Sequence, residues 1–387
     1  MILRLYVHDL HAEIGHSRAT IDLLNHLSEE ERSSIESLEV VAFTTSPLQQ
    51  LFPKWSQEKK WIKVPCPKLY PFLIKSIFYQ IWTLLYHLSH LKKNVVSLSV
   101  GIAFPLPQIV NIQFIHHHWD ELNTIYQKSS WYKKFYKKIL FSYFRFCENL
   151  IYRRKNMFFL VLSNFTKQYL EKKFCLANEQ AILTYSSVNP ESFSLLSDNK
   201  DDLFKTLAEE KKYLQGINFN LPVFLFVGAY ERKGLAKALE MLEGIRCQFV
   251  IIGKPEMGNA QIKAPEGVKI FTIPFTKKLN IYYNLADYFI FPTIYEPFGL
   301  VVLEAAATGL KLLIPRANLG ASELLVNDKG TIFFEDGPID FKNLVTLTKD
   351  ERSKLVTERL EYFKRYSWQG SSHLFYQKIL SRFSFRQ

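Results

Sequence analysis

Two glutamates and a glycine lie close together in the second half of the chain, where the segment 295–304 reads YEPFGLVVLE. This segment follows a predicted strand, and Gly299 opens a predicted helix. A glycine at such a turn lets a ligand approach the backbone closely. The N–H groups of Gly299, Leu300 and Val301 would point at that ligand, with the positive end of the helix dipole behind them. The pattern predicts a site for a diphosphate.

Glu296 and Glu304 are eight residues apart, which corresponds to roughly 12 Å if both were helical. A glycosidase pair acting on one bond needs a separation of about 5–10 Å. The spacing therefore argues against two carboxylates on one linkage and favours two ligand groups, such as a sugar and a ribose. A plain helix-capping or salt-bridging role for Glu304 stays open.

Short apolar runs alternate with helical patterns along the whole chain, and this predicts an α/β protein. Apolar strands separated by helices indicate parallel sheets covered on both faces, and two such sets indicate two doubly wound domains. Ligands of such sheets bind beyond the carboxyl ends of the strands. The polar stretch 197–218 separates the sets. The predicted strands are 3–9, 38–45, 61–67, 95–101, 111–117, 158–163 and 181–187, then 223–228, 247–253, 269–273, 288–292, 311–315 and 330–334.

A chain of 387 residues is too long for one hydrophobic core, so two domains are expected. Its 48% apolar and 22% charged content is typical of a globular protein. The four cysteines form no C-x-x-C pair, which argues against a zinc site or disulfide framework and predicts a reducing, cytoplasmic location. The first residues read as a strand rather than a signal peptide, and no apolar stretch is long enough to span a membrane. A net charge of +12 attracts nucleic acid, anionic lipid or phosphorylated substrates alike.

Several segments in order resemble one enzyme family. The spacing E-P-F-G-x4-E from Glu296 to Glu304 is similar to the E-x7-E signature of the retaining glycosyltransferases of family 4, the glycosyltransferase group 1 enzymes with the GT-B fold. The resemblance covers nearly the whole chain and is strongest over 188–323. Further matching segments are VNPESF (188–193), FVGAYERKG (226–234), NLADYFIFPT (284–293), TGLK (308–311) and NLGASE (318–323).

The resemblance implies a GT-B architecture, with two Rossmann-like doubly wound domains facing across a cleft. Residues 1–190 would form the acceptor domain, together with a C-terminal crossover helix over 366–387 in which Trp368 packs at the domain junction. Residues 191–365 would bind the nucleotide sugar.

The resemblance also implies roles for single residues. Glu296 would be the catalytic carboxylate beside the donor sugar, and Glu304 the ligand of the nucleotide ribose. Lys233, with Arg232 nearby, would neutralise the diphosphate. The family often carries an arginine where this chain has Ala229, which places more of that charge on Lys233 and Arg232. No metal and no cofactor besides the nucleotide sugar are implied.

The first half supplies two further candidates. Gly15 lies in the loop after the first strand, which in the family faces the donor, although a plain turn would look the same. His116, His117 and His118 are expected to end the strand 111–117, with His116 and His118 on one face and His117 on the other. We assign the catalytic position to His118. A metal site is disfavoured because no cysteine or carboxylate set accompanies the histidines.

Two segments suggest a membrane surface. The run 129–156 holds eight Lys or Arg and one Glu, interleaved with aromatic residues, a pattern typical of helices on anionic membranes. The segment 71–91 adds an apolar stripe at helical spacing: Leu73, Ile77, Ile81, Leu84 and Leu88. Core packing for the stripe and a solvated basic face are the alternatives. Nucleic-acid binding is not expected, because no recognised module accompanies the aromatic and basic residues.

The sequence thus predicts a transferase that moves a sugar from a nucleoside diphosphate to a glycan or glycolipid acceptor with retention at the anomeric carbon. Cell-envelope polysaccharide or lipopolysaccharide synthesis is the expected setting, with the protein cytoplasmic or peripheral on the inner face of the membrane. A catalytically silent glycosyltransferase-like binding protein and a sugar-nucleotide epimerase on the same fold are the alternatives.

Overall fold

The computed structural model describes residues 1–66, 71–122, 131–177, 179–197, 199–255, 262–336, 339, 341 and 346–384, without the side chains of Lys133 and Ser384. The chain divides into two compact units. The first comprises Met1–Ser186 and Tyr366–Gln387, and the second Ser187–Arg365.

The first unit is built on a seven-stranded parallel sheet with the order β5-β3-β1-β6-β7-β8-β9. Side chains at its centre, such as Leu5, Val40 and Leu98, are fully buried, as expected for strands covered by helices on both faces. A small parallel pair, β2 and β4, flanks the sheet. The strands are β1 (Ile2–Tyr6), β2 (Asp9–Leu10), β3 (Ser37–Ala42), β4 (Thr44–Thr45), β5 (Glu58–Lys63), β6 (Val95–Val100), β7 (Ile109–Ile112), β8 (Phe158–Val161) and β9 (Ala181–Leu183).

The helices of the first unit include two from the end of the chain. Ser372 Oγ on α13 donates to the backbone oxygen of Leu23 on α1 at 2.6 Å, and Trp368 lies buried with its ring 6.3 Å from that of His26. A π-helix, Tyr376–Leu380, follows α13. The helices are α1 (Gly15–Asn25), α2 (Glu29–Ser33), α3 (Leu48–Leu51), α4 (Phe72–Ser89), α5 (His116–Leu122), α6 (Trp131–Tyr152), α7 (Asn164–Phe174), α13 (Trp368–Phe375) and α14 (Ser381–Ser384).

The second unit holds a six-stranded parallel sheet with the order β12-β11-β10-β13-β14-β15. This order reverses between β10 and β13, and such a switch point is where doubly wound sheets bind their ligands. The strands are β10 (Val223–Val227), β11 (Cys247–Ile252), β12 (Val268–Ile273), β13 (Tyr288–Ile290), β14 (Lys311–Ile314) and β15 (Thr331–Phe333).

The helices of the second unit follow the expected alternation, and the predicted α/β class with doubly wound parallel sheets is confirmed. The polar stretch 197–218 forms α8 and a 3-10 helix, Ala208–Leu214. Further 3-10 turns span Gly320–Leu324, Phe334–Asp336 and Lys364–Tyr366. The α-helices are α8 (Lys200–Thr206), α9 (Leu235–Met241), α10 (Leu279–Leu285), α11 (Leu300–Ala307) and α12 (Lys349–Phe363).

One predicted element is wrong in a place that matters for function. The histidines do not end a strand: β7 stops at Ile112, and α5 begins at His116. The expected strand alternation of their side chains is therefore also wrong, because successive residues of a helix do not point to opposite faces. The physical reason is a buried carboxylate from α6, Glu148, which caps the backbone of α5.

Candidate functional site

The strands β10 and β13 flank the switch point of the second unit, and the loop after each strand delivers charged side chains to one place. Arg232 and Lys233 follow β10, and Glu296 follows β13. Arg232 Nη1 donates to Glu296 Oε2 at 2.9 Å, and Lys233 Nζ contacts the same oxygen. The structure therefore brings together three of the predicted site residues, which lie 63 and 64 positions apart in the sequence.

Glycine geometry explains why Lys233 lies so close to β13. Gly234 has a φ of +82°, and a Cβ there would lie 2.0 Å from the carbonyl oxygen of Pro292. Only a glycine allows the two loops to approach this closely. Lys233 is in consequence 8% exposed, and its Nζ lies 4.9 Å from the centre of the Phe291 ring.

A third loop fixes the backbone of Glu296. Its N–H donates to the carbonyl of Asn318 at 2.8 Å, and its own carbonyl accepts from the N–H of Gly320 at 3.1 Å. Asn318 has a φ of +59°, a left-handed conformation that asparagine tolerates better than most residues. The carboxylate is thus held by three loops that follow β10, β13 and β14.

Gly299 starts α11 as predicted. Its φ is +95°, and a Cβ there would lie 2.8 Å from Leu319 Cδ1 and 3.2 Å from Glu296 Cγ. The first N–H groups of an α-helix have no acceptor within the helix, so Leu300 and Val301 present donors near the charged cluster. The predicted end of the helix is also confirmed, because Gly309 follows the C-cap with a φ of +81°.

Glu304 lies inside α11, and its side chain is almost completely buried. The hydroxyl of Tyr283 donates to Glu304 Oε2 at 3.0 Å. A buried carboxylate needs such partners, and this hydrogen bond fixes its orientation. Glu304 lies within the helix, whereas Glu296 lies in the loop before it.

The cluster of Arg232, Lys233 and Glu296 combines two cations with one carboxylate. The side chains of Arg232 and Glu296 keep 24% and 15% of their surface exposed, so the cluster is shielded but reachable by a ligand. Its formal excess of one positive charge, together with the helix N-terminus, favours an anion. Chemically, the arrangement suits a diphosphate beside a group that carries developing positive charge.

In the first unit, the predicted histidines form a cluster around Glu148, which sequence analysis did not single out. The fully buried carboxylate of Glu148 accepts from the backbone N–H and the Nδ1 of His116 at 2.6 and 2.9 Å. It accepts likewise from His117 at 3.0 and 2.7 Å. Although burial raises the pKa of a carboxyl group, the hydrogen bonds from both histidines lower the pKa of Glu148 to about 2.

His118, the histidine predicted to be catalytic, makes different contacts. Its ring stacks on that of Tyr169 at a centroid distance of 4.1 Å and an angle of 5°. Burial lowers the pKa of His118, while the charge of Glu121 acts in the opposite direction. All three histidines follow the carboxyl end of β7, where doubly wound sheets place their ligand-binding residues.

Gly15 is the first residue of α1, in the loop region that follows β1. A Cβ at this position would meet no atom within 4 Å. Unlike Gly234 and Gly299, Gly15 is therefore not required by the local backbone.

Residues 221–347 match the family model for group 1 glycosyl transferases, and this range contains every predicted donor-site residue except Gly15. No curated protein matches the sequence. Solved structures match over nearly the whole chain. WaaG, a glycosyltransferase involved in lipopolysaccharide biosynthesis, has a TM-score of 0.64 at 12% identity, covering 97% of this chain and 95% of WaaG.

Two further structures show the same likeness. Alr3699/HepE from Anabaena, in complex with UDP and glucose, has a TM-score of 0.65 at 13% identity and covers 98% and 99% of the two chains. The α,α-trehalose-phosphate synthase from Burkholderia xenovorans, in complex with glucose-6-phosphate, has a TM-score of 0.62 at 10% identity and covers 98% and 100%. Identities this low establish the fold alone, which is the GT-B fold of these glycosyltransferases. The family match shows a group 1 glycosyl transferase domain over residues 221–347, and with the fold it identifies the chain as a transferase of the EC 2.4 type.

Proposed function

We propose that the protein is a retaining glycosyltransferase of family 4 that moves a sugar from a nucleoside-diphosphate donor to a glycan or glycolipid acceptor. The setting would be the synthesis of cell-envelope polysaccharide or lipopolysaccharide. One observation carries the proposal: Arg232, Lys233 and Glu296 converge at the switch point of the second unit, beside the glycine that starts α11.

The two cations would bind the donor diphosphate. Both contact the single carboxylate of Glu296. A diphosphate carries more negative charge than one carboxylate and accepts bidentate hydrogen bonds from arginine. The donor would therefore take over Arg232 and Lys233, with the N–H groups of Gly299, Leu300 and Val301 completing the anion site.

Glu296 would then lie beside the donor sugar. As the bond to the diphosphate breaks, positive charge develops at the anomeric carbon and negative charge on the leaving group. A fixed carboxylate on one side and fixed cations on the other stabilise both charges in the transition state. Glu304, oriented by Tyr283, would bind the nucleotide ribose.

The first unit would supply the acceptor side. His118 is proposed as the catalytic histidine there, and Gly15 as a donor contact. A glycolipid acceptor would lie in a bilayer, so an anionic membrane surface belongs to the proposed partners, and an inner-face location would follow. No metal ion is required by this scheme, and chelation with EDTA is expected to leave transfer unchanged.

A panel of nucleoside diphosphates and their sugars tests the proposal. UDP and UDP-glucose come first because Alr3699/HepE was solved with them, and glucose-6-phosphate is the first soluble acceptor because the trehalose-phosphate synthase was solved with it. A ligand at 100 times its Kd should raise stability by about 2.7 kcal/mol in a thermal shift assay. NMR of the product would report whether the anomeric configuration is retained.

Each outcome of this panel has a clear meaning. Binding and transfer with retention would support the proposal. Binding without transfer to any acceptor would favour the catalytically silent alternative, for which the replacement of the family arginine by Ala229 is the motivating observation. Conversion of the donor sugar without an acceptor would favour the epimerase.

A further inference from the structure

Helix α4 in the first unit has its apolar side turned outward. Its buried positions include Ser76 and Thr83, whereas large apolar residues along the opposite face are exposed; Ile81 and Leu85 are 55% and 62% exposed. Helices of globular proteins normally place their apolar stripe on the core. The exposed stripe of α4 consists of Ile74, Ile77, Phe78, Ile81, Leu85 and Leu88.

Helix α6 carries a second exposed stripe. Trp131 at its start is 79% exposed, and the same face continues for five turns. An apolar patch of this extent on two helices of one unit is larger than the scattered exposed side chains of ordinary surfaces. The stripe of α6 consists of Trp131, Tyr132, Phe135, Ile139, Phe146 and Leu150.

The two helices contact each other through side chains. The N–H of Leu73 donates to the hydroxyl of Tyr136 at 3.3 Å, and Tyr143 Oη donates to Gln80 Oε1 at 2.8 Å. The ring of Phe72 also lies 6.0 Å from that of Phe144, so several side chains join the two helices.

Each helix of this contacting pair exposes an apolar stripe on the first unit. We treat the two stripes together as one surface and call it the α4–α6 face.

The exposed charged residues that α4 and α6 contribute around the α4–α6 face are basic. The sequence of α4 contains no Asp or Glu, and that of α6 contains only Glu148, which is fully buried. Lys134 and Lys138 are exposed on the flank of the α6 stripe, and Lys92 and Lys93 are exposed just after α4. Arg145 on the same flank of α6 pairs with Asp120 of α5, so the basic residues outside that pair remain in excess.

We infer that the α4–α6 face docks on an anionic lipid bilayer. Apolar and aromatic side chains bordered by lysines are the composition of helices that lie in the plane of a membrane interface. Within the described part of the chain, no helix is long and apolar enough to cross a membrane. This inference deepens the proposed function, since its purpose rests on a glycolipid acceptor, but the binding itself is measured without turnover.

Vesicle co-sedimentation of the full chain tests the inference, with phosphatidylcholine alone and with phosphatidylcholine mixed with phosphatidylglycerol. Lys134→Glu with Lys138→Glu should weaken binding to the anionic vesicles more than tenfold, because each basic residue contributes about fivefold near such a surface. The matched control is Lys329→Glu with Lys354→Glu, two exposed lysines of the second unit, which should bind within twofold of wild type.

A second set of variants tests the apolar part. Ile77→Ser, Ile81→Ser and Leu85→Ser combined should weaken binding at least tenfold. Some wild-type binding should persist at about 1 M salt, where charge attraction is screened. The control is Val326→Ser, an exposed apolar residue of the second unit. Because the changed side chains face outward, the melting temperature and any stabilisation by UDP should stay unchanged.

Three results would overturn the inference: no binding of wild type to anionic vesicles, equal binding of wild type and both surface variants, or a wild-type dimer in gel filtration that the serine variant converts to monomer. The last would mean that a second copy of the chain covers the face. None of these results bears on donor binding, so the proposed transferase function would stand or fall separately.

Discussion

The charged cluster of the second unit and the histidine cluster of the first are assembled in different ways. Arg232, Lys233 and Glu296 come from loops after two neighbouring strands, and the positions of these loops depend on glycine and on the sheet order. His116 and His117 instead depend on Glu148, one buried side chain from another helix. The comparison teaches that the charged cluster of the second unit is held by backbone geometry, whereas the histidine cluster of the first is held by a single ionised group.

The largest expected effect separates chemistry from binding in the second unit. Glu296→Gln keeps the size of the side chain and removes its charge, so turnover should fall by at least a thousandfold, equivalent to about 4 kcal/mol of transition-state stabilisation. Binding of the nucleoside diphosphate should remain or become tighter, because Arg232 and Lys233 lose their carboxylate partner. Steady-state kinetics and calorimetry of the same preparations measure both, and near-normal turnover would contradict the role of Glu296.

The backbone claim is tested with a pair of glycines. Gly234→Ala should destabilise the second unit by at least about 3 kcal/mol, because a left-handed residue with a side chain is strained and its Cβ would overlap Pro292. Gly15→Ala should leave stability unchanged or slightly raised, since the helix start there has room. Urea unfolding measures the free energy of unfolding of both variants. Equal values would contradict the claim that the glycine backbone positions these loops.

The histidine cluster of the first unit should respond to pH through Glu148. Its folded pKa of about 2 lies below the ordinary value of 4.5. Its ionised form therefore contributes stability that is fully present above about pH 4.5 and is lost as the pH falls towards 2. Glu148→Gln should lower the stability of the first unit near neutral pH by about 2 to 3 kcal/mol. The variant should also lose less stability than wild type as the pH falls below 4.5.

Unfolding curves from pH 7 to acid pH, followed by circular dichroism, provide the measurement. The control is Glu191→Gln, an exposed residue of the second unit, which should retain the wild-type pH dependence. If Glu148→Gln lost as much stability at acid pH as wild type does, the histidine cluster would not depend on the ionised carboxylate.

Local patterns in the sequence were sufficient for the parts of the site that depend on the backbone. Gly299 and Gly309 bound α11 with positive φ values, as a glycine before and after a helix predicts. The contact between Lys233 and Glu296 was not predicted. It follows from the order of strands in the second sheet, which places β10 beside β13 although 63 residues separate the two side chains.

Tertiary effects explain the rest. The start of α5 at His116 depends on Glu148, a residue 32 positions away, and nothing in the local sequence of the histidines signals it. The available signal was Glu148 itself, the one acidic residue in the basic and aromatic run 129–156. The periodicity of 71–91 correctly predicted a helix, but periodicity alone does not tell whether protein or lipid covers the apolar stripe.

The affinity for nucleoside diphosphates tests the central claim most directly, namely that Arg232, Lys233 and Glu296 form the donor site. Isothermal titration calorimetry would compare wild type, Lys233→Met and the control Lys237→Met, an exposed lysine on α9 of the same unit. Lys233→Met is expected to weaken binding of the best nucleoside diphosphate by about 10- to 100-fold, which corresponds to about 1.4–2.7 kcal/mol, while Lys237→Met binds like wild type. Equal affinities of all three proteins would contradict the account.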